Sequence, residues 1–116
     1  MKILILDPNA SSARAIALLC SDLGHETLIV RTSVGMRGAI ARVPEFELAI
    51  VDCRWGEDSP NHEEIAPLLS AFVMAAGRLI VLDEGHAKCR FAQIPGASWF
   101  VKPVDPRKLE AGIRAG

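Results

Sequence analysis

The chain lacks any apolar run approaching the ~20 residues that a membrane-spanning helix requires, and it lacks an excess of either charge. With a formal net charge of -1 and Lys and Arg dispersed along 116 residues, nothing supplies the electrostatic footprint of a nucleic-acid binder. Cysteine is scarce too. Cys20, Cys53 and Cys89 are too scattered for a CxxC metal pair, and an odd count fits poorly with a secreted disulfide framework, so reduced thiols and a cytoplasmic location are expected. The opening apolar run Ile3 to Leu6 is cut short by Asp7 and Pro8 with no small-residue cleavage site after it, which argues against a secretory leader. There is no internal repeat, low-complexity stretch or interdomain linker.

What is present is a half-hydrophobic sequence of a length that buries one core without staples, so residues 1–116 are read as one domain. Ile3 to Leu6 form a continuous apolar run, as in a strand of a parallel sheet buried on both faces. Ala13, Ile16, Ala17, Cys20 and Leu23 follow at helical spacing, and Gly24 supplies a left-handed helix end. Leu28 to Val30 give a second strand. Met36, Ala39, Ile40 and Val43 suggest a helix over Ser33 to Val43, weakened by Gly35 and Gly38 and ended by Pro44.

Leu48 to Val51 form a third buried strand running into Asp52. Ile65, Leu68, Leu69, Phe72, Val73 and Ala76 make the clearest amphipathic helix, with Pro67 in its first turn and Gly77 closing it. Leu79 to Leu82 are a fourth strand ending at Asp83, and Trp99 to Val101 a fifth ending at Lys102 and Pro103. Glu84 to Gly96 leave space for only a short helix. Pro106 to Gly116 read as a final helix with an abrupt end, which suggests the N-terminal part of a longer protein.

Strands alternating with helices imply right-handed crossovers and a parallel sheet covered on both faces. In such a sheet the carboxyl ends of the strands share one rim, where ligands bind. Asp7, Asp52, Asp83 and Lys102 each stand just past a strand, so the fold should gather three carboxylates and one ammonium there. Clustered carboxylates repel unless a cation or proton neutralises them. Mg²⁺ suits oxygen ligands of this kind, one carboxylate could act as a nucleophile toward a phosphoryl group, and Lys102 would pair with a phosphoryl oxygen.

Over essentially its whole length the sequence resembles the receiver domain of bacterial response regulators. The resemblance is carried by Ile3-Leu4-Ile5-Leu6-Asp7, Leu23-Gly24-His25, Leu48-Ala49-Ile50-Val51-Asp52, Gly96-Ala97-Ser98-Trp99-Phe100-Val101-Lys102-Pro103, and Asp105 with Leu109. It implies a flavodoxin-like, CheY-like doubly wound sheet of five parallel strands in order 2-1-3-4-5. It also implies Asp52 as phosphoacceptor, Lys102 as the phosphoryl contact, a cis Pro103, and Asp7 with Asp52 as Mg²⁺ ligands. The implied partners are a histidine kinase or phosphotransfer protein, an attached or separate output domain, and a second copy in a homodimer. Neither a membrane nor direct nucleic-acid binding is implied, and the module is a switch, not a turnover enzyme.

The sequence departs from that pattern in several places. The family's second acid after Asp7 is here Pro8, so Mg²⁺ binding is expected to be weak. The switch position after the fourth strand, normally Ser or Thr, is Asp83; it either relocates the missing acid to the metal or pairs with Lys102 and locks the domain. The Met-Pro turn after the acceptor is replaced by Cys53-Arg54-Trp55, and the segment from Glu84 to Gly96 is short for the family's fourth helix. The alternative reading is a phosphorylation-independent pseudo-receiver that acts through protein contacts. A third, a flavodoxin-like small-molecule or nucleotide-binding domain, is disfavoured by the absence of a Gly-rich first loop. Gly35-Met36-Arg37-Gly38 fits no phosphate-loop spacing, and His25, His62 and His86 show no ligand spacing. Cys53 is read as a small hydrophobe packed into the sheet.

Overall fold

The structure is a computed structural model that describes residues 1–31, 45–55, 65–83 and 89–115. The helix expected over Ser33 to Val43, the Gly35 to Gly38 stretch, His62 and His86 lie outside the described residues. Five strands, β1 (Lys2–Leu6), β2 (Glu26–Val30), β3 (Leu48–Asp52), β4 (Arg78–Asp83) and β5 (Ser98–Val101), form one sheet in the order β2-β1-β3-β4-β5. Every pairing is parallel. This is the order and orientation expected of the flavodoxin-like, receiver-type arrangement.

Side chains alternate across a strand, so one run of apolar residues feeds two cores. Leu4, Leu6, Ala49, Val51, Leu79 and Val81 face one layer, where Leu69 and Phe72 of helix α2 (Ile65–Met74) and Phe91 and Ile94 cover them. Ile3, Ile5, Leu48, Ile50, Ile80 and Leu82 face the other. There Ala13, Ile16 and Cys20 of α1 (Ala10–Asp22) and Leu109 and Ile113 of α3 (Pro106–Arg114) complete the packing. β3 is buried at all five positions, which is why it reads as an unbroken apolar word and why its last residue, Asp52, is delivered into a dry setting.

Helix ends follow local chemistry. The Asn9 side chain accepts a hydrogen bond from the Ser12 amide at 3.0 Å, the capping geometry that satisfies an otherwise unpaired donor. Gly24 takes φ +87° after α1, as expected. At the end of α2 the left-handed position falls on Ala76, at φ 72°, and not on Gly77. Gly77 is needed for a different reason, since a Cβ there would come within 2.5 Å of the Phe72 ring. Asp105 caps α3 by accepting from the Arg107 amide at 2.9 Å. Arg78, at the start of β4, donates to the carbonyls of Gly112 and of Ile113, the latter at 2.9 Å, placing a cation at the negative end of α3.

Between β4 and β5 the described residues hold a short 3-10 helix, Arg90–Gln93, in line with the short helix expected there. One expectation is corrected. The thiols are not all reduced: Cys53 and Cys89, 36 residues apart, are joined by a disulfide, and only Cys20 is free and buried. Cys53 does pack against the core, but as half of a covalent bridge. Sequence spacing gave no hint of the pair, because the two cysteines meet only when the ends of β3 and β4 are brought side by side. No helix among the described residues is long and apolar enough to cross a membrane.

Candidate functional site

The carboxyl ends of β1, β3, β4 and β5 open on the same rim of the sheet, and the registers bring their terminal residues level. Leu6 pairs with Val51, Asp52 with Leu82, and Asp83 with Val101. Asp7, Asp52 and Asp83 are the buried charged residues among those described, at 1 %, 1 % and 4 % exposure. Carboxylates this dry require partners, and the partners define the site.

Asp52 is held from two sides. One carboxylate oxygen, Oδ2, receives the Lys102 ammonium. The other, Oδ1, accepts from the Arg54 amide at 2.8 Å, and the Arg54 guanidinium approaches it to 3.8 Å. The chain thereby turns back beneath the carboxylate, and the Trp55 amide donates to the Asp52 carbonyl at 2.9 Å. Trp55 anchors that turn from below: its side chain is fully buried and its indole N–H donates to the Val30 carbonyl at 2.9 Å. Lys102 is aimed by its position after β5, where its amide donates to the Asp83 carbonyl at 2.6 Å and the following Pro103 is cis, as expected.

Asp7 serves two functions with two oxygens. Oδ1 accepts from the Asn9 amide at 2.9 Å, bending the chain into α1. Oδ2 is buried with no hydrogen-bond partner. An orphaned carboxylate oxygen in a dry position calls for a cation, and a hydrated divalent ion supplies both charge and donors. Pro8 beside it offers neither a carboxylate nor an N–H. Among the described residues no group of three or more His, Cys, Asp and Glu side chains stands together to hold a metal. Relocation of the missing acid to Asp83 therefore finds no three-carboxylate cluster, while Asp7 supplies a donor oxygen and Asp52 stands on the adjoining strand.

Sequence reasoning placed Asp7, Asp52, Asp83 and Lys102 at strand ends, and the structure brings Asp52 and Lys102 into direct contact. Arg54 was missed as a partner of Asp52, and Trp55, expected close to the site, was missed as the anchor of its turn. Arg54 was readable in principle, since an Asp side chain commonly accepts from the backbone amide two residues on to form a local turn. The Trp55 anchor depends on Val30, a residue remote in sequence, and had no local signal.

The strand order and all-parallel pairing are those of the receiver fold, a five-stranded doubly wound sheet. Neither a family sequence model nor a curated protein sequence matches the chain. Solved structures do. A response regulator receiver protein from Pseudomonas putida superposes with a TM-score of 0.78 at 22% identity, covering 99% of this chain and 96% of that one. A CheY-like receiver domain protein from Methanospirillum hungatei gives 0.73 at 23% identity over 98% and 90%. The N-terminal domain of a response regulator/sensory box/GGDEF three-domain protein from Carboxydothermus hydrogenoformans gives 0.74 at 17% identity over 99% and 92%. At these identities the likeness is one of fold.

Proposed function

We propose that this domain is a receiver module of two-component signalling, with Asp52 as the phosphoacceptor and an incomplete acidic site. The observation that carries the reading is the contact between the buried Asp52 carboxylate and the Lys102 ammonium. A lysine so placed neutralises the carboxylate at rest and is within reach of a phosphoryl oxygen once the carboxylate is esterified. Asp52 Oδ attacks phosphorus in line, the bond from phosphorus to the donor's leaving nitrogen breaks, and Lys102 offsets charge on the transferred group. Asp7, through its unpartnered oxygen, and Asp52 would hold Mg²⁺, which would screen the same charge; with Pro8 in place of a second acid the affinity is low.

The domain acts as a switch and not as a turnover catalyst. Its donor is a phosphohistidine-bearing kinase or phosphotransfer protein, and its target an output domain in the same or another chain, as in the three-domain architecture of the Carboxydothermus relative. A cytoplasmic location follows from that role. A homodimer is a further mode of output.

A second reading, a pseudo-receiver working through contacts alone, is favoured by Asp83. A buried carboxylate one residue past the strand position beside Asp52 would face a phosphoryl group carrying about -1.5 to -2 charges. At ~6 Å and an effective dielectric of ~20 the repulsion is on the order of a few kcal/mol. Incubation with acetyl phosphate and Mg²⁺, followed by intact-mass measurement, separates the readings. One added phosphoryl group on the wild-type chain and none on Asp52→Asn supports the acceptor; no addition to the wild type supports the pseudo-receiver.

A further inference from the structure

We infer that the Cys53–Cys89 disulfide is a reversible redox latch on the loop that carries the acceptor turn. Three features support this, and the inference rests on the cytoplasmic signalling reading above only for its consequence at Asp52.

The bond lies outside the regular elements. Cys53 directly follows the last residue of β3, and Cys89 precedes the 3-10 turn, so the bridge ties the chain leaving Asp52 to the chain that follows β4. Both sheet faces carry an apolar core of many residues besides these two cysteines, and a domain of this size does not need a disulfide to fold. Opening the bond therefore leaves the scaffold standing. What it releases is the covalent half of the clamp on Cys53-Arg54-Trp55, whose Arg54 amide occupies one oxygen of Asp52.

The second feature is unequal access. Cys53 is partly exposed, whereas Cys89 is buried. A dithiol reductant therefore meets the Cys53 half of the bond first. Its thiolate attacks Cys53 Sγ, the bond between the two cysteine sulfurs breaks, and Cys89 leaves as a thiolate that takes a proton. The reductant's second thiolate then attacks the mixed disulfide and releases Cys53, which also takes a proton. Two electrons pass to the protein and the dithiol becomes a disulfide. Re-formation runs the same exchange backward with a low-molecular-weight disulfide as oxidant.

The third feature is isolation from the remaining thiol. Cys20 is buried in the layer on the opposite face of the sheet from Cys53 and Cys89. The sheet itself keeps it from scrambling the pair, so the exchange has a single product in each direction.

The test begins with native air-oxidised protein treated with iodoacetamide, with and without dithiothreitol. No alkylation without reductant and two alkylated residues, Cys53 and Cys89, with it are expected. Alkylation of both without reductant, or a bond that dithiothreitol opens only in denaturant, would overturn the latch. Hydrogen exchange at the Arg54 amide is then compared in the two redox states. Reduction should speed it at least about fivefold, Cys53→Ser and Cys89→Ser should each show the fast rate without reductant, and equal rates in both states would refute the proposal. Reaction with acetyl phosphate, measured in parallel, is expected to be faster in the reduced protein. A redox-dependent Arg54 rate with no phosphoryl uptake in either state would sink the acceptor reading and leave the latch standing.

Discussion

Replacing Lys102 by Met keeps the length of the side chain and removes its charge. The Asp52 carboxylate, 1 % exposed, then loses the ammonium on Oδ2 and retains the Arg54 amide on Oδ1 and a guanidinium at 3.8 Å. Removing one member of a buried ion pair costs about 3–5 kcal/mol because the survivor is left charged and dry. The Lys102 side chain is 21% exposed, and that contact with water lowers the expected cost to about 2–3 kcal/mol. Asp52→Asn behaves differently. Its amide oxygen still accepts a hydrogen bond, and Lys102 can turn its ammonium to solvent, so a loss of about 1 kcal/mol is expected. Urea unfolding at neutral pH measures both. With a slope of roughly 1–3 kcal/mol/M for a domain of this size, Lys102→Met lowers the midpoint by about 0.7–3 M, two to three times the shift for Asp52→Asn. The double variant recovers part of the loss, because the stranded charge is gone. If Lys102→Met costs no more than Asp52→Asn, the dry, one-sided burial of the pair is refuted.

Four other outcomes follow from the same structure. Gly77→Ala should destabilise by about 1–3 kcal/mol, read by thermal or urea unfolding, because its Cβ would meet the buried Phe72 ring. Reducing the Cys53–Cys89 bond, which spans 36 residues, should lower urea stability by up to about 4 kcal/mol on the chain-entropy model while the circular dichroism of the folded state is unchanged. Burial pushes the Cys20 thiol up to about 11, so it stays protonated and resists iodoacetamide in the folded protein. Because that value lies above the unfolded one of 9.0, the associated stability is fully present below about pH 9 and is lost as pH rises through about 11, a contribution to the alkaline decline that Cys20→Ala should remove in urea titrations. Asp83→Thr should speed reaction with acetyl phosphate, by removing a charge of the same sign as the incoming phosphoryl group; an unchanged rate would refute that repulsion, and a large loss of Mg²⁺ affinity would mark Asp83 as a ligand.

The parts of the fold governed by local pattern were legible in the sequence. Buried parallel strands announce themselves as unbroken apolar runs, so β1, β3 and β4 were placed within a residue, and the polar residue ending each run could be assigned to a common rim. β5 was also placed within a residue, whereas β2 begins two residues before its apolar run, at Glu26, because it is an edge strand whose outer positions need not be apolar. The partners of Asp52 divide in the same way. Lys102 was legible because it follows a strand, whereas the Trp55 anchor and the Cys53–Cys89 bridge link segments far apart in the chain and depend on how the strand ends line up. The left-handed residue at the end of α2 was misassigned because Gly77 has two plausible uses, and close packing against Phe72 is the one the fold requires.

Chemical mapping of the phosphorylated residue tests the central claim most directly. Protein treated with acetyl phosphate and Mg²⁺ is reduced with borohydride, which converts an aspartyl phosphate to homoserine, and the residue is located by peptide mass spectrometry. Homoserine at position 52 alone, absent from Lys102→Met or formed there far more slowly, is the predicted result. Homoserine at position 7 or 83, or at none of the three, contradicts the assignment of Asp52 as the reacting carboxylate.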